Sequence, residues 1–173
     1  MVLARQLRYA EPTQLGTKRC GGGKIAMASA GGYFIEDLTV GQKETFAKTV
    51  TDADIVLYAG VSGDTNPAHL DEEYAAGTMF KTRIAHGMLT ASFISAVLGA
   101  RMPGPGSIYL SQSLRFRAPV RPGDTVTAEC EVTDIDLAKK RVTLKTLCLV
   151  KGKTVVEGEA VVMPPSRAAA AAG

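Results

Sequence analysis

Apolar and polar positions along this chain fall into a few distinct patterns. Residues 44–50 are rich in β-branched side chains and read as a strand. Thr51, with Asp54 three residues later, caps a helix running through Ile55, Val56, Leu57 and Tyr58. Residues 60–70 read as an irregular loop and residues 71–76 as a short helical turn. Gly87 to Ala100 is apolar almost all round, so a helix there must be enclosed on most sides. Pro103 and the glycines after it end that helix. Four further segments (108–117, 125–135, 141–150 and 154–163) approach period two, with turns at 136–140 and at Gly152. Such turns pair the strands antiparallel. The fold class is therefore α+β: one long buried helix wrapped by a curved antiparallel sheet. The element order alone is shared by other α+β packings.

At 173 residues the chain suits one domain with a real core. The net charge of +3 is unevenly placed. Residues 1–27 hold five Lys/Arg and one acid, whereas residues 28–173 hold fifteen Lys/Arg and sixteen acids. The body is near neutral, which argues against nucleic acid as a partner. No apolar run is long enough to span a bilayer. Cys20, Cys130 and Cys148 lack metal-type spacing, and their odd number fits a reducing compartment. Three regions are expected: a flexible basic extension over 1–32, a domain over 33–164, and a disordered tail over 165–173. The extension reads as a disordered leader, or as an over-extended start with Met27 the true initiator. A cytoplasmic location follows, or the mitochondrial matrix if residues 1–27 are a targeting segment.

The chemistry concentrates in Gly63-Asp64-Thr65-Asn66-Pro67-Ala68-His69. Asp64 and His69 are five apart, so one regular helix would point them about 140° away from each other. Pro67 opposes helical conformation in Asn66, and an irregular segment can bring both side chains to one point. A carboxylate and an imidazole converging on one water make a general acid–base site. That suits addition or removal of water.

Four motifs in order carry a resemblance: Ser62-Gly63-Asp64-x-Asn66-Pro67-x-His69; Ile84-Ala85-His86-Gly87-Met88; Pro103-Gly104-x-Gly106-Ser107-Ile108-Tyr109-Leu110-x-Gln112; and Pro119-Val120-x-x-Gly123-Asp124. Together they resemble the MaoC-like (R)-specific enoyl-CoA hydratases over 34–163. The resemblance implies a single hot-dog fold, in keeping with the element pattern. It also implies reversible hydration of trans-2-enoyl-CoA to (R)-3-hydroxyacyl-CoA, with supply of polyhydroxyalkanoate precursors and fatty-acid metabolism among the settings. Alternatives are a (3R)-hydroxyacyl-ACP dehydratase, a hot-dog thioesterase, or a non-catalytic acyl-thioester-binding subunit. The intact Asp64, Asn66 and His69 set weighs against the last.

By resemblance, Asp64 and His69 are the acid–base pair. Asn66 either orients the water or braces the loop by an Asx turn. Gly87, at the start of the apolar helix, offers its amide to the thioester oxyanion, or else only allows tight packing. Ser95, Leu98 and His86 are expected on the substrate side, although His86 can also simply brace the loop. Arg115, Arg117, Arg121, Lys81 and Arg83 read by default as a solvated face, and could also meet the phosphates of coenzyme A, with none of them singled out. No metal site, dinucleotide fingerprint or separate cofactor is expected, because coenzyme A belongs to the substrate. The expected partners are an acyl-CoA thioester and a second copy of the chain, joined sheet edge to sheet edge.

Overall fold

The computed structural model describes residues 31–167. Nearly all of the expected basic extension and the closing alanine run lie outside the described residues. Five strands form one antiparallel sheet: β1 Lys43–Thr49, β2 Ile108–Phe116, β3 Thr125–Asp136, β4 Arg141–Val150 and β5 Lys153–Met163, in the spatial order β1-β3-β4-β5-β2. The helices are α1 Asp52–Ser62, α2 Pro67–Leu70, α3 Glu72–Ala76 and α4 Gly87–Ala100.

Alternation builds the core. Val126, Ala128, Cys130 and Val132 of β3 and Val142, Leu144, Thr146 and Cys148 of β4 are buried. They share one face of the sheet, and that face packs against Phe93, Ile94, Val97 and Leu98 of α4. The sheet thus wraps the helix, which is the hot-dog arrangement. Cys130 and Cys148 are free thiols, and burial pushes the pKa of each up to about 12. Bulges interrupt the alternation between Val132 and Asp134 and again beside Val155, so Val155 and Val156 are both buried although adjacent.

The start of α1 follows the sequence closely. Thr51 Oγ1 accepts the Asp54 N–H at 3.2 Å, and the Asp54 carboxylate accepts the Thr51 N–H at 2.9 Å. The Thr51 N–H, the Thr51 hydroxyl donating at 2.8 Å and Lys48 at 3.0 Å hold the Asp54 carboxyl below its usual range. Thr51→Ala is expected to lower stability by about 1 kcal/mol, read from the urea midpoint. An unchanged midpoint would mean that packing alone holds α1.

Both ends of the domain differ from expectation. The expected tail does not begin at residue 165: the Ile35 N–H donates to the Pro165 carbonyl at 2.9 Å, Ser166 is buried, and the Arg167 guanidinium pairs with Asp37 and covers the Phe34 ring at 5.2 Å. Gly32, the last residue of the expected flexible extension, is packed so closely that a Cβ there would lie 2.8 Å from the Pro105 carbonyl oxygen. Long-range backbone pairing, invisible to local pattern, ties these segments down.

Candidate active site

The site lies where the chain passes from α1 into the sequence leading to α4. Gly63 ends α1 in the left-handed conformation (φ +78°), with its N–H donating to Ala59 O at 2.9 Å. Glycine suits that reversal because it has no Cβ to clash. Asn66 then caps α2, its Oδ1 accepting the Ala68 N–H at 3.0 Å, and Pro67 takes the first helical position. His69 therefore sits on a new helical turn whose direction is independent of α1. The irregular segment expected over 60–70 is shorter than foreseen, because α1 runs to Ser62 and α2 begins at Pro67.

The hydrogen bonds define the two imidazoles. His69 Nδ1 lies 2.8 Å from the Ile84 carbonyl oxygen. A carbonyl only accepts, so Nδ1 carries a hydrogen, and in the neutral ring Nε2 is then the nitrogen with the lone pair. His86 Nε2 lies 2.9 Å from the Asp64 carbonyl oxygen, which puts a hydrogen on Nε2. The two rings face each other with centroids 3.8 Å apart and planes tilted by 36°, and the Tyr58 ring lies 5.1 Å from His86. Asp64 is exposed, His69 half-buried and His86 buried. One nitrogen or oxygen atom from each of the three lies within 4.8 Å of the others, a spacing at which Asp64 and His69 can share one water.

These residues open onto a cavity of about 510 Å³. Asp64, His69, His86 and Gly87 form its polar side; Met79, Phe80, Met88 and Phe116 supply apolar wall, with Thr90, Val120 and Val156 buried behind. An apolar pocket with a few convergent polar groups is the usual form of a small-molecule site. Gly87 is the first residue of α4, and its neighbour His86 makes no side-chain cap, so the positive end of a fourteen-residue helix meets the cavity. Gly87 also has a packing role: a Cβ there would come within 2.8 Å of the Phe116 ring.

The other sequence candidates are placed differently. Asn66 uses its side-chain oxygen as the α2 cap and does not line this cavity. Ser95 and Leu98 are not brought to it. Eight residues from Gly87 is roughly 12 Å along a helix; Ser95 is exposed in a separate groove of about 410 Å³ beside Tyr58 and β2, and Leu98 is 2% exposed within the core. Among the basic residues, Arg117 lines the cavity while paired with Glu157. Arg83 is engaged by Asp52 (2.7 Å) and Glu72 (3.2 Å), and Arg121 donates to the Phe80 carbonyl at 3.1 Å. Sequence reasoning missed Met79, Phe80, Thr90, Phe116 and Val156, which come from four separate segments and share no local motif.

A hot-dog sheet around one helix, with an Asp and a His on an overhanging segment above the start of that helix, defines the class. A family model described as "MaoC like domain" matches residues 37–157. An (R)-specific enoyl-CoA hydratase from Rhodospirillum rubrum is 61% identical over 135 residues, covering 78% of this chain and 94% of that relative. A 3-hydroxybutyryl-CoA dehydratase from Methylorubrum extorquens is 48% identical over 134 residues, with 78% and 85% covered. The solved (R)-hydratase from A. caviae involved in PHA biosynthesis superposes with a TM-score of 0.72 at 49% identity, over 74% of this chain and 98% of that one. The chain belongs to the MaoC-like domain family.

Proposed function

We propose that this protein is an (R)-specific enoyl-CoA hydratase, a hydro-lyase that adds water across trans-2-enoyl-CoA to give (R)-3-hydroxyacyl-CoA. The single observation carrying this reading is that the Asp64 carboxylate and a His69 ring nitrogen lie within 4.8 Å of each other at one cavity wall, in a chain 61% identical to an (R)-specific enoyl-CoA hydratase. A water donating one hydrogen to each group turns its lone pair toward C3 of the enoyl chain. As the C3–O bond forms, one water proton passes to the Asp64/His69 pair and negative charge moves onto the thioester oxygen. The pair then returns a proton to C2. Hydroxide has been added at C3 and a proton at C2, and both side chains are restored. The Gly87 amide, at the positive end of α4, is the donor proposed for the oxyanion.

The test is crotonyl-CoA, followed at the enoyl thioester absorbance with product chirality and free thiol measured together. Loss of the band with an (R) product and no thiol supports the reading. Thiol release would make the protein a thioesterase, and turnover only on acyl-carrier-protein substrates would make it the ACP dehydratase.

Gly87→Ala is expected to reduce kcat about 10²-fold. The Phe116 ring that the new methyl group meets is half-exposed and can swing aside, so the fold should survive. Measuring kcat beside the thermal midpoint separates the two roles. A destabilised variant with full kcat would leave Gly87 a packing residue only.

The active form proposed is a homodimer joined along β2. This nine-residue strand is an edge of the sheet, and Ile108, Tyr109, Leu110 and Phe116 on it are 40–53% exposed. A long apolar edge of this kind invites strand pairing. Leu110→Lys is expected to shift the light-scattering mass from dimer to monomer; a dimer that persists would place the interface elsewhere. A cytoplasmic location and supply of hydroxyacyl-CoA for PHA synthesis are proposed with it, because the A. caviae relative is involved in PHA biosynthesis. Polymer formed from crotonyl-CoA by this protein together with a PHA synthase is the expected result; no polymer would argue against that role.

A further inference from the structure

Among the described residues, His86 is the one buried ionisable group at the site that the proposed mechanism does not use. It is 1% exposed and packed between Tyr58 and His69. Its Nε2 bonds to the backbone oxygen of Asp64, so the side chain fixes the main chain of one reacting residue while its ring face supports the other. Among the described residues its Nδ1 is buried without a hydrogen-bond partner. A second hydrogen on the ring would be an N–H with no acceptor in a buried place, which is strongly disfavoured. His86 is also the residue capping the start of α4, where the helix dipole opposes positive charge. The titratable groups around the ring are Asp64, His69 and Tyr58.

Resting on the hydratase reading above, we infer that His86 is a positioning residue held as its neutral Nε2–H tautomer, tying the Asp64 backbone to the His69 ring so that both reach one water. Its neutrality also has a use. With centroids only 3.8 Å apart, a charged His86 would repel the positive charge that His69 takes on when it accepts a proton. A neutral ring gives the same support without that opposition. His86 touches neither water nor substrate in this scheme and acts only through its two neighbours.

Two measurements test this. The first uses the full-length native protein: long-range proton–nitrogen NMR of the imidazoles at pH 7. The chain has only two histidines, so His69→Gln assigns the spectrum. Hydrogen on Nε2 alone is expected for His86; hydrogen on Nδ1, or on both nitrogens, overturns the inference whether or not any variant folds. The second compares variants. His86→Phe keeps a ring but loses the donor, and should lower kcat by roughly 10²-fold, the scale of a small misplacement of reacting groups, with KM changed by less than roughly threefold. His86→Gln keeps an N–H donor and should recover to within about tenfold of wild type. Full kcat in His86→Phe overturns the inference, as does a rise in KM alone, which would make His86 a substrate contact. Equal loss in both variants would make it a proton carrier and overturn it too. If the wild-type protein does not hydrate crotonyl-CoA, the functional reading fails, while the NMR result still decides the His86 tautomer.

Discussion

Asp64→Asn should lower kcat for crotonyl-CoA by about 10²–10⁴-fold, the usual worth of a general acid–base group. The substitution is nearly isosteric. The Asp64 Oδ1 that accepts the Asn66 N–H at 3.2 Å is matched by an amide oxygen, and the backbone carbonyl held by His86 is untouched. The segment should therefore keep its shape while the charge that attracts the water proton is lost. His69→Ala should cost a similar factor, because it removes the ring nitrogen that the Ile84 hydrogen bond at Nδ1 leaves free for proton transfer. Circular dichroism and the thermal midpoint establish that each variant is folded. Wild-type turnover in a folded variant would take that residue out of the mechanism.

The largest stability effect is expected at Gly158, which belongs to none of the four motifs. Gly158 lies in β5 between Leu114 of β2 and Thr146 of β4. A Cβ there would stand 1.8 Å from the Ser113 carbonyl oxygen and 2.8 Å from its carbon. Both are backbone atoms, so no side-chain rotation relieves the clash. The same carbonyl accepts the Gln112 Nε2–H at 2.7 Å, and that amide also reaches the buried Thr146 hydroxyl at 2.9 Å. Gly158→Ala must push β2 away from β5 and disturb this buried link. A loss of about 3 kcal/mol or more follows, which is a fall of roughly 10 °C in Tm for a domain of this size. Urea denaturation at 25 °C and a thermal scan measure it. An unchanged midpoint would show that β2 is not pressed onto β5 at this point.

Local structure was legible wherever a local cause exists. Thr51 and Asp54 satisfy each other's backbone within four residues, so the start of α1 could be read directly. The apolar stretch from Gly87 to Ala100 had to be an enclosed helix, since no polar face remained for water. Of the proposed site residues, Asp64 and His69 could be placed together because Gly63, Asn66 and Pro67 act on the backbone beside them. Ser95 and Leu98 could not be placed the same way. Their position depends on how far α4 carries them from Gly87 and on which of its faces the sheet covers. Phe116 and Val156, paired across β2 and β5, and the Met79-Phe80 loop become neighbours of His69 only through the wrapping of the sheet.

The element order, the antiparallel pairing across short turns, the buried central helix and the reversal that brings a carboxylate to an imidazole all have local causes in the chain. Each depends on capping, periodicity or backbone restriction within a few residues. Packing between distant segments is what sets His86 against His69, docks the chain from Pro165 to Arg167 on the start of the domain, and presses the backbone of β2 onto Gly158. Those contacts join residues 17 to more than 100 positions apart. Their free energy comes from burial and hydrogen bonds made once the sheet closes on the helix, and no local pattern encodes that closure.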